Sequence, residues 1–288
     1  MKSRDNASDN GAMARASILA LKRGAIWRGP VLAAWMVTAI FTGTGHAASG
    51  KQPPPPDAPA NSPPQYTRFT TGELQRGFLA LAFGSDLRIG ARPRGIRRFD
   101  RPIGARIIDG GSVTRTVAMA GLIEEYARQI PALRLSVVAA DRPADIEIRL
   151  IDEKDFSSAL RAAFGRDVAR TFIRRTNPQC MTSVKSEAGG TIVRAVSFII
   201  VDKGERVFRD CAYHELLHAF GLSNHDQRNP WTTLNQTRTV GYLTVYDHSL
   251  VTLLYDPVIT PGMARAQVRA ALPKIITRLG LAAPPARR

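Results

Sequence analysis

The sequence predicts an α+β domain built on a mixed β-sheet. Three observations carry that expectation. Short apolar runs of strand length alternate with longer segments of helical period. Glycines and prolines punctuate the boundaries between them. The 288 residues, 44% hydrophobic and 22% charged, suffice for a sizeable core and exclude wholesale disorder.

Taken in order, residues 1–47 read as an export signal. Lys2, Arg4, Arg15, Lys22, Arg23 and Arg28 form a basic region, an apolar run follows from Val31 to Phe41, and small residues from Gly45 to Ser49 close it. That succession describes a secretory signal cleaved after Ala47 or Ala48, with Met1 or Met13 as the start. The apolar run falls short of the roughly 20 residues a membrane anchor needs. No cysteine sits near the cut to carry a lipid. The expected location is periplasmic or extracellular. Residues 48–65, with four consecutive prolines from Pro53 to Pro56, predict a disordered linker, and the folded domain is expected over 66–288.

Inside that domain Thr71, Glu73 and Leu74 open a capped helix that runs to Phe83 and stops at Gly84. Ile96 to Ile108 is strand-like, though Pro102 and Gly104 interrupt it. Ser112 to Ile130 is a long helix with Met119, Leu122, Ile123, Tyr126 and Ile130 on one side. Leu133–Val138 and Ile146–Ile151 are strands, and 155–164 a helix. Thr191 to Val201 is the strongest strand, preceded by a Gly189–Gly190 hairpin turn. Arg209 to Phe220 is a helix ended by Gly221, residues 222–241 form a polar loop, and Ala264 to Leu279 is the terminal helix.

Chemistry concentrates in His214-Glu215-Leu216-Leu217-His218, followed by Gly221, His225 and Asp226. The chain has five histidines, and three of them lie within twelve residues. On a helix His214 and His218 share a face one turn apart, so both imidazoles reach one ion. Glu215 is rotated about 100° around the axis and is placed to hydrogen-bond a metal-bound water instead. This is the H-E-x-x-H arrangement of zinc-dependent proteases. With 5 His and 8 Glu among 288 residues, chance produces it about 0.002 times. The expectation is therefore a zincin-like metalloprotease fold with an active-site helix, Zn²⁺ as cofactor and a peptide or protein substrate. The substrate chain is expected along an edge strand near Thr191–Val201, above the helix bearing His214 and His218. Glu215 is the catalytic base that takes the proton of the attacking water and passes it to the leaving amine.

The third metal ligand is His225 or Asp226. The stretch looks like the metzincin extension H-E-x-x-H-x-x-G-x-x-H, but Asn224 stands where the third histidine would fall, and the histidine arrives one residue later. Tyr246, Asp247, His248 and Tyr255 are candidates for supporting or transition-state-stabilising roles, His248 first among them. Met263 is the candidate for a methionine turn beneath the metal. Cys180 and Cys211, the two cysteines of the chain, are expected to pair in an exported protein and to pin the metal helix to the hairpin.

From Phe78 onward the chain resembles the proteobacterial family called domain of unknown function 2927. The resemblance rests on Gly77-Phe78 with Ala82-Phe83-Gly84-Ser85-Asp86, the Cys180/Cys211 pair, Glu215-Leu216-Leu217 with Gly221-Leu222-Ser223-Asn224, and Leu253-Leu254-Tyr255-Asp256-Pro257 before Pro261-Gly262-Met263. It implies an exported protein of zincin-like character without an assigned substrate. Hence two functional expectations stand together: a zinc metallopeptidase, and a catalytically inactive zincin-like envelope protein that binds metal or a partner.

The net charge of +16 comes mostly from 33 arginines, and residues 48–288 keep +12 because residues 1–47 hold six basic and two acidic side chains. Arg88, Arg92, Arg94, Arg97, Arg98, Arg101 and Arg106 crowd one span. No aromatic residue interleaves with them before Phe99, which argues against nucleic acid and for contact with an anionic envelope surface.

Overall fold

A computed structural model describes residues 69–84, 94–176 and 178–281. The expected signal and linker, 1–65, lie outside the described residues.

The architecture is α+β, with five strands in the order β2-β1-β3-β5-β4. These are β1 (Ile103–Asp109), β2 (Leu135–Val137), β3 (Ile146–Ile151), β4 (Cys180–Ser186) and β5 (Ile192–Ile200). The first three and β5 run parallel to their neighbours, and β4 returns antiparallel to β5. The connections that make this possible are helical: α2 (Thr116–Gln129) between β1 and β2, and α3 (Glu153–Phe164) with α4 (Arg166–Thr176) between β3 and β4. Gly190, at φ +89, closes the β4–β5 hairpin against the carbonyl of Ile96. The sheet is thus mixed, as the alternation of elements predicts.

Helix α1 (Thr71–Phe83) is held by a capping box in which Thr70 and Glu73 exchange hydrogen bonds. The described chain ends with α5 (Glu205–Phe220), α6 (Val245–Leu254) and α7 (Arg265–Leu279). Register divides the sheet. One face carries Ile103, Ile146, Ile148, Leu150 and Ile199 into the main core, where they meet α2, α5 and α6. The opposite face carries Phe198 and Ile200 into a second, smaller core under the α3–α4 hairpin.

Three sequence expectations change. The strand expected at 96–108 begins only at Ile103; before it Gly95 and Arg98 make single bridges to Ala264 and Thr191. Pro102, which has no N–H for a ladder, stands directly before β1, and Arg98 sends its guanidinium to the carbonyls of Leu254, Asp256 and Ile259 at and beyond the end of α6. Arg98 is therefore a helix-end cap, not a surface cation for an anionic partner. Second, β5 is an interior strand; the edge is β4, which the hairpin lays outside it. Third, α4 and α6 are helices where the sequence pattern shows none.

Candidate metal centre

Helix α5 follows Gly204 and ends at Gly221, whose φ of +123 no β-carbon tolerates here: one would stand 2.0 Å from the Arg97 carbonyl oxygen. The turn this glycine permits reverses the chain. Ser223 then donates its N–H to Leu81 and its hydroxyl to Gly84, and the Asn224 amide donates to the Ala80 carbonyl. Both anchors grip the C-terminal end of α1. Asn224, at the position where the metzincin spacing expects histidine, is spent on that anchor, and the next residue swings back over the helix.

That residue is His225. Its Nε2 lies 3.0 Å from Nε2 of His214 and 3.2 Å from Nε2 of His218, while the two helical histidines are 3.1 Å apart at the same atoms. Among the described residues these three form the one cluster of His, Cys, Asp or Glu groups that could hold a metal ion.

Backbone carbonyls set the tautomers. Nδ1 of His214 contacts the Thr233 carbonyl at 2.9 Å and Nδ1 of His218 contacts the Leu222 carbonyl at 2.6 Å. A carbonyl only accepts, so each Nδ1 bears the proton and each Nε2 presents a lone pair to the shared point. Burial, aided by the neighbouring His225, pushes His214 down to about 3, against a smaller opposing effect of the Thr233 hydrogen bond. Burial and the two other imidazoles push His218 well below the ordinary imidazole range. Both rings are neutral at pH 7, the form that ligates metals.

Glu215 shares the helix but faces the sheet, and it is 3% exposed. Its Oε2 has no hydrogen-bond partner among the described residues. Burial pushes its carboxyl up to about 8, and the Thr182 hydroxyl opposes this. Thr182 sits on β4, where its Oγ1 also lies 2.7 Å from Ser197 Oγ and 3.2 Å from the Glu215 carbonyl. A buried carboxyl oxygen without a donor is a mark of function more often than of stability.

The Cys180–Cys211 disulfide joins the first residue of β4 to α5, with Cα atoms 5.8 Å apart. Edge strand and metal-site helix are thereby tied one turn before His214.

The remaining candidates lie elsewhere. Asp226 is not part of the histidine cluster; its carboxylate accepts from the Arg228 N–H, and its own N–H donates to Leu234. It borders a cleft of about 330 Å³ lined also by Glu73, Arg76, Trp231 and Tyr246. His248, on α6, places Nε2 3.1 Å from the Gln129 carbonyl at the end of α2, outside the cluster. Tyr246 donates its hydroxyl to Glu73 and Tyr255 donates to Phe220, both carbonyls of helix backbone. Met263 offers its carbonyl to Ile96 and forms no turn with the three histidines. Asp247 is the exception. Fully buried, it accepts from Thr232 Oγ1 at 2.5 Å and from the Thr233 N–H at 2.9 Å, and the Thr233 carbonyl is the group that orients His214. Thr182 and Thr233 carry no signal in the sequence, since their role is to hold backbone or to be held by it.

The α+β domain thus brings three imidazoles together at a point that could hold a metal ion. The chain belongs to the family described as protein of unknown function (DUF2927), whose model matches residues 71–274. No curated protein and no solved structure matches it.

Proposed function

We propose that the chain is an exported zinc metallopeptidase of zincin type, in which His214, His218 and His225 hold the ion and Glu215 is the general base. The observation that carries this reading is the convergence of three Nε2 atoms 3.0–3.2 Å apart. Imidazoles bound tetrahedrally at ~2.0–2.1 Å stand about 3.3 Å apart, so the donor set fits a small divalent cation with a fourth position open. Two of the three lone pairs have their tautomers fixed by carbonyls, and lone pairs that face one another repel unless a cation lies between them.

Bound there, zinc supplies a Lewis acid and a water of pKa ≈ 7. In the ionised form that a neighbouring cation favours, Glu215 would accept the proton of the attacking water at the oxygen that otherwise has no partner, then deliver it to the leaving amine. The substrate backbone adds to the free edge of β4, whose Thr182 already touches Glu215. The disulfide supports an oxidising compartment and hence export.

The test is metal analysis and peptide turnover on purified protein. One zinc per chain is expected. Glu215→Gln keeps the metal and loses at least about 10²-fold in rate. Metal-free protein at neutral pH, or a Gln variant as fast as wild type, overturns the mechanism. Bound zinc with no turnover of a broad peptide library selects the alternative, a non-catalytic envelope protein.

A further inference from the structure

Among the described residues, the second sheet face is only half covered. Phe198 and Ile200 lie beneath α3 and α4, but the half formed by β1, β3 and the start of β5 carries Arg106, Glu147, Arg149 and Arg194. All three guanidinium groups converge on Glu147, at 2.5 Å from Arg106, 3.0 Å from Arg194 and 3.2 Å from Arg149. Glu147 is 5% exposed, whereas the Arg149 and Arg194 side chains are 44% and 54% exposed. One carboxylate against three cations leaves two positive charges uncompensated on an open surface. Parallel sheets are as a rule buried on both faces.

One of the two helices on this side repeats the pattern, whereas α3 balances Glu153 and Asp155 against Lys154 and Arg161. Helix α4 presents exposed Arg166, Arg170 and Arg174 against a single acid, Asp167, together with Val168 at 39% exposure. Ile108 on β1 is 37% exposed beside Arg149. The segments outside the described residues are a poor cover for it. Residues 1–68 hold eight Lys or Arg against three Asp, residues 85–93 two Arg against one Asp, and residues 282–288 two Arg and no acid. The complementary partner is therefore external and anionic.

We propose that this face docks the protein on an anionic phospholipid bilayer, with Arg149, Arg194 and the α4 arginines at the phosphates and Val168 and Ile108 in the interface. Nucleic acid fits less well, because the aromatic rings of this side, Phe156, Phe172 and Phe198, are buried and offer no stacking surface. The proposal does not depend on the metal site.

Co-sedimentation of the full chain with phosphatidylglycerol/phosphatidylcholine vesicles tests it. Each basic residue contributes about a fivefold factor to partitioning, so Arg149→Gln with Arg194→Gln lowers it roughly 30-fold. Arg166→Gln with Arg170→Gln does the same without touching Glu147, which guards against a sheet variant that fails to fold. Arg269→Gln with Lys274→Gln on α7, an equal change of charge elsewhere, leaves binding at the wild-type level. Three outcomes overturn the proposal: all three pairs weakening binding alike, equal binding to pure phosphatidylcholine, or binding to duplex DNA with none to vesicles.

Discussion

Asp247 shows how one buried side chain reaches the histidine cluster through backbone. It holds Thr232 and Thr233, and the Thr233 carbonyl holds His214 in the tautomer with Nε2 forward. Burial pushes its carboxyl up to about 6, and the hydrogen bonds from Thr232, Thr233 and Thr244 oppose the shift. The folded protein therefore binds more protons here than the unfolded chain, and this group works against stability as pH rises from about 4 to 6. Burial of a carboxyl at that cost fits a positioning role. Asp247→Asn should lower divalent-metal affinity 10–100-fold, measured by competition with a chromophoric chelator. The tetrahedral Co²⁺ absorption band should weaken or shift as well, a change that lost stability alone does not produce. An unchanged band and affinity would leave Asp247 as a loop anchor and nothing more.

At the scale of elements, α5 and β4 act as a pair. The disulfide and the Thr182 contacts fix the strand that borders Glu215 to the helix that carries it. Closing the chain between residues 31 positions apart is worth about 3.5 kcal/mol in the chain-entropy account. Cys180→Ser with Cys211→Ser should lose on the order of that amount in denaturant unfolding, and reduction of the wild type should reproduce it. Should the double variant match the oxidised wild type, the bridge would be neutral and the register of β4 set by the hairpin alone. The strand was hard to read in sequence because Cys-Met-Thr-Ser-Val-Lys-Ser alternates weakly, as an edge strand of intermediate burial at every position but Lys185 does. Helix α6 was hidden for a different reason. Val245–Leu254 is buried on most of its circumference, so it shows no polar stripe, and its Tyr, Asp and His residues look like site chemistry.

For the whole molecule, the two cores differ in depth. The main one joins α1, α2, α5, α6 and α7 to one sheet face, while the second rests on six buried residues under α3 and α4. The hairpin should open before the rest. Amide hydrogen exchange is expected to be fastest, among the helices, in α3 and α4 and slowest in α5 and β3. Uniform protection across both cores would mean a single cooperative unit. Such local opening would also loosen the arginine-bearing side without disturbing the three histidines, since the two lie on opposite faces of the sheet.

The sequence by itself determined the α+β class, the terminal glycine of α5 and the facing of His214 and His218. Each is a local matter of period or of a conformation only glycine reaches, and nearby residues decide it. Only the tertiary structure decided how the chain returns after Gly221. Two hydrogen-bonded anchors on α1, more than a hundred residues earlier, take up Ser223 and Asn224, and so deliver His225 and not Asp226 to the cluster. Tertiary packing likewise chose β4 as the edge, turned Arg98 inward and gathered three arginines on Glu147. These outcomes depend on partners distant in the chain, and spacing along a sequence carries no record of such distances.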